Sequence, residues 1–182
     1  MLAGCKGGAA KFKSTDITGA DFGRSLSLTG HDGKPRMLEN FRGKLVVMFF
    51  GYTRCPDICP TTLADMAQTM KSLGSDADRV QVLFVTMDPA RDTREVLSQY
   101  VPAFDARFLG LYGDEEATRR VAKEFKIFYE KRDGSAPGAY TVDHSAQSYV
   151  LDAHGRLRLF VRHDRIAEDL AADLRQLLKE AS

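Results

Sequence analysis

Hydrophobic and polar positions recur with different periods along the chain, and each period predicts an element. Residues 45–50 form a continuous apolar run, which predicts a central strand buried on both faces. Apolar residues then recur at helical spacing until Gly74, so we predict a helix over residues 60–73. Residues 80–85 predict a second strand, and Arg94–Tyr100 predicts a second helix. Strands that alternate with helices are typical of α/β architectures.

The rest of the chain predicts further strands and a mixed sheet. An Asp-Gly turn at Asp32 closes an N-terminal hairpin over residues 26–38, and residues 108–111 predict an edge strand. Asp114 predicts the start of a helix, whereas residues 129–142 contain Gly and Pro and predict a hairpin or a loop. The C-terminal part predicts two antiparallel strands and an amphipathic helix, at Ser148–Leu151, Leu157–Val161 and residues 166–178. We therefore expect an α/β fold, a mixed sheet with helices on both faces and an N-terminal hairpin.

Composition narrows the class of protein. The chain has 182 residues, enough for one domain with a tail, and its 28% charged and 43% hydrophobic residues are typical of globular proteins. The net charge of +1 is too balanced for a dedicated nucleic-acid or polybasic membrane binder, so we expect no nucleic-acid partner. No apolar run reaches the length of about 18 residues that a transmembrane helix requires.

The first 23 residues lack apolar periodicity and predict a tether, which leaves residues 24–182 for the folded domain. Within the tether lies a sequence that resembles the lipobox of bacterial lipoproteins, Leu2-Ala3-Gly4-Cys5. The basic and apolar regions of a signal peptide are absent before Cys5, so we expect Met1 to be a late start within a longer precursor. The alternative is an incidental cysteine in a polar tail.

Two cysteines lie where the central strand gives way to the first helix. Cys55 and Cys59 follow the strand after a turn at residues 51–54, and flanking prolines mark the helix start. Unpaired backbone N–H groups at a helix start favour the thiolate over the thiol. If both residues are helical, their Cα atoms lie about 6.2 Å apart, a spacing that suits either a disulfide or a shared metal ion. Two ligands are too few for a closed zinc site, so a bound metal needs another donor.

Four histidines compete for the position of third ligand. His31 and His154 lie in turn sequences remote from the strand end, and His163 follows the last strand beside arginines, so we expect surface roles for these three. His144 lies just before the strand at Ser148–Leu151. In a thioredoxin-like topology this segment faces the cysteine helix, which makes His144 the best candidate.

Three segments of the chain resemble the Sco family of thioredoxin-fold copper proteins, also called Sco1/SenC. The matching segments are residues 51–60 (GYTRCPDICP), 88–93 (DPARDT) and 143–145 (DHS), within a similarity that spans residues 25–178. The resemblance implies a peroxiredoxin-like variant of the thioredoxin fold, with copper bound by Cys55, Cys59 and His144.

The resemblance also implies a location and a set of partners. It implies a domain on the periplasmic side of the bacterial inner membrane, anchored here through lipid on Cys5. Such a domain assists assembly of the dinuclear copper centre of cytochrome c oxidase. The implied partners are the copper-centre subunit of the oxidase and a periplasmic copper donor or thiol reductase.

Two functions from different classes remain open. The first is a copper metallochaperone, because two soft sulfurs and an imidazole suit Cu(I), and Cu(II) is a further state the site could hold. The second is a thiol-disulfide oxidoreductase in which Cys55 and Cys59 form the redox-active pair. Only the copper function needs His144. Residues 140–149 contain no proline, which counts against a general thioredoxin-type reductase.

Other assignments carry less weight. A peroxiredoxin-type peroxidase ranks last, because Tyr52 and Pro56 rather than threonines stand three residues before the two cysteines. Asp57 and Asp88 each fit a role at the site, and each fits ordinary turn and capping chemistry equally well.

Overall fold

The structure, a computed structural model, describes residues 11–135 and 139–181. Within these ranges the strands are β1 (Thr15–Asp16), β2 (Ser27–Gly30), β3 (Pro35–Met37), β4 (Leu45–Gly51), β5 (Val80–Thr86), β6 (Leu109–Tyr112), β7 (Tyr129–Asp133), β8 (Tyr140–His144), β9 (Ser148–Leu151) and β10 (Leu157–Val161). The α-helices there are α1 (Ile58–Leu73), α2 (Arg94–Tyr100), α3 (Glu115–Glu124) and α4 (Ala171–Glu180). One mixed sheet has the order β1-β10-β9-β4-β5-β6-β2-β3, and β7 pairs with β8 in a separate sheet.

Strand β4 is the centre of the large sheet, because both of its faces are covered. All seven of its residues are buried, and it pairs parallel with β5 and antiparallel with β9. Successive side chains of a strand point to opposite faces. Phe49 packs against Phe84 on one face, and Phe50 packs against Phe125 and Tyr149 on the other. The continuous apolar run therefore belongs to a strand with no solvent-facing side, as predicted.

Helices cover both faces of this sheet. On the face that carries Phe84, α2 contributes Tyr100, and α1 packs against α4. On the opposite face, Phe125 follows α3 and packs against Phe50. The β4-α1-β5 unit, followed by antiparallel β9 and β10 and then α4, is the arrangement expected of a thioredoxin-like fold. The predicted mixed sheet with helices on both faces is confirmed.

The predicted N-terminal hairpin forms, and it changes the position of β6. Strands β2 and β3 pair around Gly33, whose φ of 82° favours glycine. Strand β2 also pairs with β6, so β6 lies inside the sheet. The prediction of an edge strand at residues 108–111 is wrong, because local periodicity does not reveal that a distant hairpin covers that edge.

Part of the predicted tether lies against the domain. Strand β1 pairs with β10, and the backbone N–H groups of Lys13 and Ser14 donate to the Asp173 carboxylate at 2.8 and 2.9 Å. Four side chains from this segment pack partly buried against the core: Phe12, Ile17, Ala20 and Phe22. Residues 11–23 are thus held by the fold. The candidate lipidation site, Cys5, lies outside the described residues.

Two helices begin at other positions than the pattern predicts. Helix α1 begins at Ile58 and includes Pro60 in its first turn, where proline is tolerated. At the C-terminus, His163–Arg165 forms a 3₁₀ turn and Ile166–Leu170 a π-helical turn before α4 begins. No helix in the described ranges is long and apolar enough to cross a membrane.

Strands β7 and β8 form a hairpin outside the large sheet. Tyr129 pairs with His144, and Asp133 pairs with Tyr140. Val142 is the buried residue of the hairpin, whereas most of the other residues of its two strands are exposed. The hairpin alternative for residues 129–142 is therefore correct, and the pairing continues to His144.

Candidate metal centre

The carboxyl end of β4 and the hairpin bring three metal-binding side chains together. Cys55 lies in the loop after β4, Cys59 is the second residue of α1, and His144 is the last residue of β8. Their ligand atoms, two sulfurs and an imidazole nitrogen, all lie within 4.8 Å of one another. Both cysteines are free thiols, with Cys55 half-buried and Cys59 buried. The structure thus brings together the three residues that the sequence analysis selected.

The sulfur of Cys55 takes the place of an N-cap oxygen at the start of α1. Asp57 precedes the helix but makes no side-chain cap bond, and the Cys59 backbone N–H donates to the Cys55 sulfur at 3.4 Å. The Cys59 thiol also donates to this sulfur, and that bond is the main cause that lowers the pKa of Cys55 from 9.0 to about 4. The backbone N–H groups of Cys59 and Asp57 act in the same direction, and burial opposes them. Cys55 is therefore a thiolate at neutral pH.

Cys59 is the protonated partner of this pair. Its hydrogen bond to Cys55 and its burial both raise the pKa of the Cys59 thiol. Its sulfur also lies against Gly51, where an added Cβ would stand 2.8 Å from the Cys59 Sγ. Because no side chain fits there, glycine at the end of β4 lets α1 approach the sheet closely.

The orientation of His144 is fixed by its neighbours. Its Nδ1 lies 3.0 Å from the Ser145 carbonyl oxygen, and a carbonyl can only accept, so Nδ1 carries the proton. The Nε2 lone pair then faces the thiols, with the Cys59 Sγ at 3.5 Å. The ring packs edge-on against Tyr52, with centroids 5.8 Å apart. Imidazole in this tautomer is the form that binds metals.

A buried carboxylate fixes the loop that precedes Cys55. Asp92 is fully buried and accepts from the Thr53 backbone N–H at 3.0 Å, from the Thr53 hydroxyl at 2.5 Å and from the Thr86 hydroxyl at 2.6 Å. Burial raises the pKa of Asp92, and the hydrogen bonds from Thr53 and Thr86 oppose this rise. This role of Asp92 is not apparent from the sequence, because an acid in an Asp-Pro-Ala-Arg-Asp-Thr turn carries no local sign of such distant partners.

Asp88 belongs to a second cluster beside the site. It is fully buried, forms an ion pair with Arg91 and accepts a hydrogen bond from the Tyr140 hydroxyl at 2.8 Å. Its backbone N–H donates to the Thr86 hydroxyl at 3.0 Å. The carboxylate thus contacts the first residue of β8, the strand that ends at His144.

The other three histidines lie apart from this centre. His31 accepts from the Gly110 backbone N–H of β6 through Nδ1 at 2.9 Å, and burial lowers the pKa of its imidazole, so it is a structural residue of the sheet. His154 and His163 are exposed. Among the described residues, Cys55, Cys59 and His144 are the group of three or more His, Cys, Asp or Glu side chains whose ligand atoms converge.

The donor set favours a soft metal ion. Two sulfurs and one imidazole nitrogen suit Cu(I), whereas Mg²⁺ and Ca²⁺ require oxygen ligands. Three protein ligands do not complete the four-ligand shell of a structural zinc site. The site therefore fits copper by its chemistry.

Comparisons with known proteins agree with this geometry. The mouse (Mus musculus) "Protein SCO2 homolog, mitochondrial" is 36% identical over 153 residues, which cover 83% of this chain and 60% of that protein. The solution structure of apo Sco1 from Thermus thermophilus is 40% identical with a TM-score of 0.82, covering 94% of this chain and 99% of that one. Copper-bound ScoI from Bradyrhizobium japonicum is 35% identical with a TM-score of 0.79, covering 86% and 99% respectively.

The family model described as SCO1/SenC matches residues 14–179. The match begins just before β1 and includes both cysteines and His144. The curated mouse relative is longer than this chain, so the chain spans less than two thirds of it. A match over nearly the whole described fold, with relatives above 30% identity, establishes that the chain belongs to the SCO1/SenC family.

Proposed function

We propose that this chain binds copper through Cys55, Cys59 and His144 and delivers it, as a metallochaperone, to the copper-centre subunit of cytochrome c oxidase. The observation that carries the proposal is the convergence of two sulfurs and one imidazole nitrogen within 4.8 Å. The relative from Bradyrhizobium japonicum was solved with copper bound, which supports the same cargo here.

The three ligand side chains differ in whether they must lose a proton before they bind a soft cation. Cys55 already carries a negative charge at neutral pH, and His144 presents the lone pair of Nε2. Cys59 must lose its proton, because its pKa is raised in the metal-free protein. Loading near pH 7 should therefore release about one proton per ion, rather than the two expected of ordinary thiols.

The test is a copper titration of the reduced chain, followed by X-ray absorption. We expect one copper ion per chain, with sulfur and nitrogen neighbours. His144→Ala should remove the nitrogen neighbour, whereas the control His154→Ala should leave the spectrum unchanged, because His154 is exposed and outside the cluster. A spectrum that His144→Ala does not alter would exclude the histidine from the site.

A second candidate is a thiol-disulfide oxidoreductase, favoured by the unequal thiols. The half-buried Cys55 thiolate would attack a partner disulfide, forming a mixed disulfide and releasing one partner thiolate. Cys59 would then lose its proton and displace the second partner thiolate, leaving a Cys55–Cys59 disulfide and a reduced partner. His144→Ala separates the functions, because reduction should survive this change and tight copper binding should not.

The location is proposed from the sequence of the first residues. Lipid on Cys5 would anchor the domain to the periplasmic face of the inner membrane, near a copper donor or a thiol reductase. The lipobox-like segment before Cys5 supports this anchor. Mass spectrometry of the native protein decides the matter, since an unmodified Cys5 would remove the anchor and leave the copper proposal intact.

A further inference from the structure

The histidine ligand belongs to a hairpin that does not pair with the large sheet. The hairpin of β7 and β8 is separate from that sheet, and an isolated two-stranded hairpin is marginally stable in water. His144 nevertheless lies 3.5 Å from the Cys59 sulfur. Some contact must therefore fix the hairpin over the two thiols.

We propose that Asp88, Arg91 and Tyr140, here called the latch, position His144 over Cys55 and Cys59 and thereby set its contribution to copper affinity. This inference rests on the proposed copper function. The latch residues are positioning residues, because their side-chain hydrogen bonds join the latch to itself and to the hairpin backbone.

Each latch residue contacts the other two. The Arg91 guanidinium stacks over the Tyr140 ring at 3.6 Å from its centroid, and its Nη1 donates to the Tyr140 carbonyl oxygen at 2.9 Å. The Arg91 Nε pairs with Asp88, and the Tyr140 hydroxyl donates to Asp88 at 2.8 Å. A stack, an ion pair and two hydrogen bonds thus close a ring of contacts.

Burial shields this ring from solvent. The Asp88 side chain is 0% exposed and that of Arg91 is 15% exposed, so solvent screens the charges weakly. The Asp88 backbone N–H is fixed by the Thr86 hydroxyl at the end of β5. The latch therefore fastens the hairpin to the same end of the sheet from which the cysteine loop departs.

The point of attachment explains its effect on the ligand. Tyr140 begins β8 and His144 ends it, so the latch holds one end of a short strand whose other end carries the imidazole. The Arg91 guanidinium also lies 5.8 Å from the ring of Tyr52, which packs edge-on against His144. Arg91 thus acts on the imidazole from two directions.

The experiment compares Arg91→Lys and Tyr140→Phe with the control Arg132→Lys in the full chain. Lysine keeps the charge but loses the planar stack and the fork of donors, and phenylalanine keeps the ring but loses the bond to Asp88. Arg132 lies on the same hairpin, but its ion pairs with Glu130 and Asp143 are exposed. The first readout is hydrogen exchange of the hairpin amides in the copper-free protein. The second is copper affinity, measured together with the imidazole nitrogen signal in the X-ray absorption spectrum.

We expect Arg91→Lys to speed exchange in β7 and β8 and to weaken copper binding about 10-fold, with loss of the imidazole nitrogen signal and retention of sulfur. Tyr140→Phe should have the same effects to a smaller extent, and Arg132→Lys should have none. Tyr140→Phe, the milder change, decides the question if Arg91→Lys does not fold.

Three results would overturn the proposal. The first is unchanged exchange in both latch variants, and the second is a loosened hairpin with unchanged copper affinity and spectrum. The third is an equal effect of Arg132→Lys, which would indicate a general effect of hairpin charge. If the wild-type chain bound no copper, the proposed function would fail, whereas the exchange comparison would still decide whether the latch holds the hairpin.

Discussion

The thiol side and the imidazole side of the centre depend on different parts of the fold. Cys55 and Cys59 follow β4, in which all seven residues are buried, whereas His144 ends β8, in which one of five residues is buried. The cysteines are positioned by the hydrophobic core and by the hydrogen bonds of the buried Asp92 to their loop. The histidine is positioned by polar and aromatic contacts with Ser145, Tyr52 and Phe49.

Because of this difference, we expect different substitutions to lower the stability of the domain and to change the geometry of the ligands. Changes on the thiol side should alter the stability of the whole domain, because β4 and α1 are part of its core. Changes on the imidazole side should alter the site while leaving global unfolding nearly unchanged, since weakly packed elements open locally. The two halves of one metal site should therefore respond differently to similar substitutions.

The largest expected effect is on stability, and it compares two aromatic truncations. Phe49→Ala removes a fully buried ring from β4 and should cost about 3–5 kcal/mol of unfolding free energy. Tyr129→Ala removes a half-buried ring from the hairpin and should cost about 1 kcal/mol. Urea unfolding of the reduced, copper-free chain measures both. Equal losses would mean that the hairpin belongs to the cooperative core, and the comparison would fail.

A smaller effect is expected where β4 meets the cysteines. In Gly51→Ala the new methyl group would stand 2.8 Å from the Cys59 Sγ, and we expect a loss of about 1–3 kcal/mol from overpacking. The Cys59 sulfur should also shift away from His144. Copper affinity and unfolding free energy should therefore fall together.

The matched control is Gly155→Ala. Gly155 has a φ of 75° and open space around its Cβ position, so alanine there should cost about 1 kcal/mol through backbone strain alone. Its copper affinity should equal that of the wild type. If Gly51→Ala also kept wild-type copper affinity, the close packing at Gly51 would not govern the thiols.

The pKa is lowered for Cys55 and raised for Cys59, and this difference predicts how the alkylation rate of Cys55 depends on pH. Cys55, with its pKa lowered to about 4, stays deprotonated until the pH falls through that value. Its alkylation rate should therefore stay constant from pH 8 down to roughly 5, whereas the rate of an ordinary thiol falls about tenfold per pH unit. Mass spectrometry after timed alkylation would locate the label on each cysteine.

Two variants of the buried thiol test the cause of that profile. Cys59→Ala removes the donor that chiefly lowers the pKa of Cys55, so the profile should move to higher pH. Cys59→Ser keeps a hydroxyl donor and should move it less. An unchanged profile in Cys59→Ala would mean that the helix start alone stabilises the Cys55 thiolate.

The same comparison explains what the sequence could reveal. The strand β4, the body of α1 and the β2–β3 hairpin follow from signals within a few residues of each other. The support of the site does not, because Asp92 contacts Thr53 across 39 residues and Arg91 contacts Tyr140 across 49. Periodicity and turn chemistry carry no information on such pairs.

His144 occupies an intermediate position in this respect. It could be selected by elimination among four histidines and by the topology that places its segment opposite the cysteine helix. The choice of copper came from the family resemblance, supported by the chemistry of the ligands. The pairing that places His144 in a separate hairpin and the contact of Arg91 with that hairpin leave no local signal in the sequence.

The smallest expected effect concerns a single hydroxyl between the two sides. Burial raises the pKa of the Tyr52 hydroxyl and the Val142 backbone opposes this rise, so Tyr52, from the cysteine loop, acts on both the hairpin backbone and the His144 ring. Tyr52→Phe removes only this hydroxyl and should cost about 1 kcal/mol or less, with a slight increase of amide exchange at Val142. Tyr52→Leu removes the edge-on contact with the imidazole as well, and should loosen His144 further. Amide exchange of both variants, measured beside Arg91→Lys, ranks the attachments of the hairpin. If Tyr52→Phe loosened β8 as much as Arg91→Lys does, the hairpin would be held chiefly by the cysteine loop, and the two sides of the site would not be independently supported.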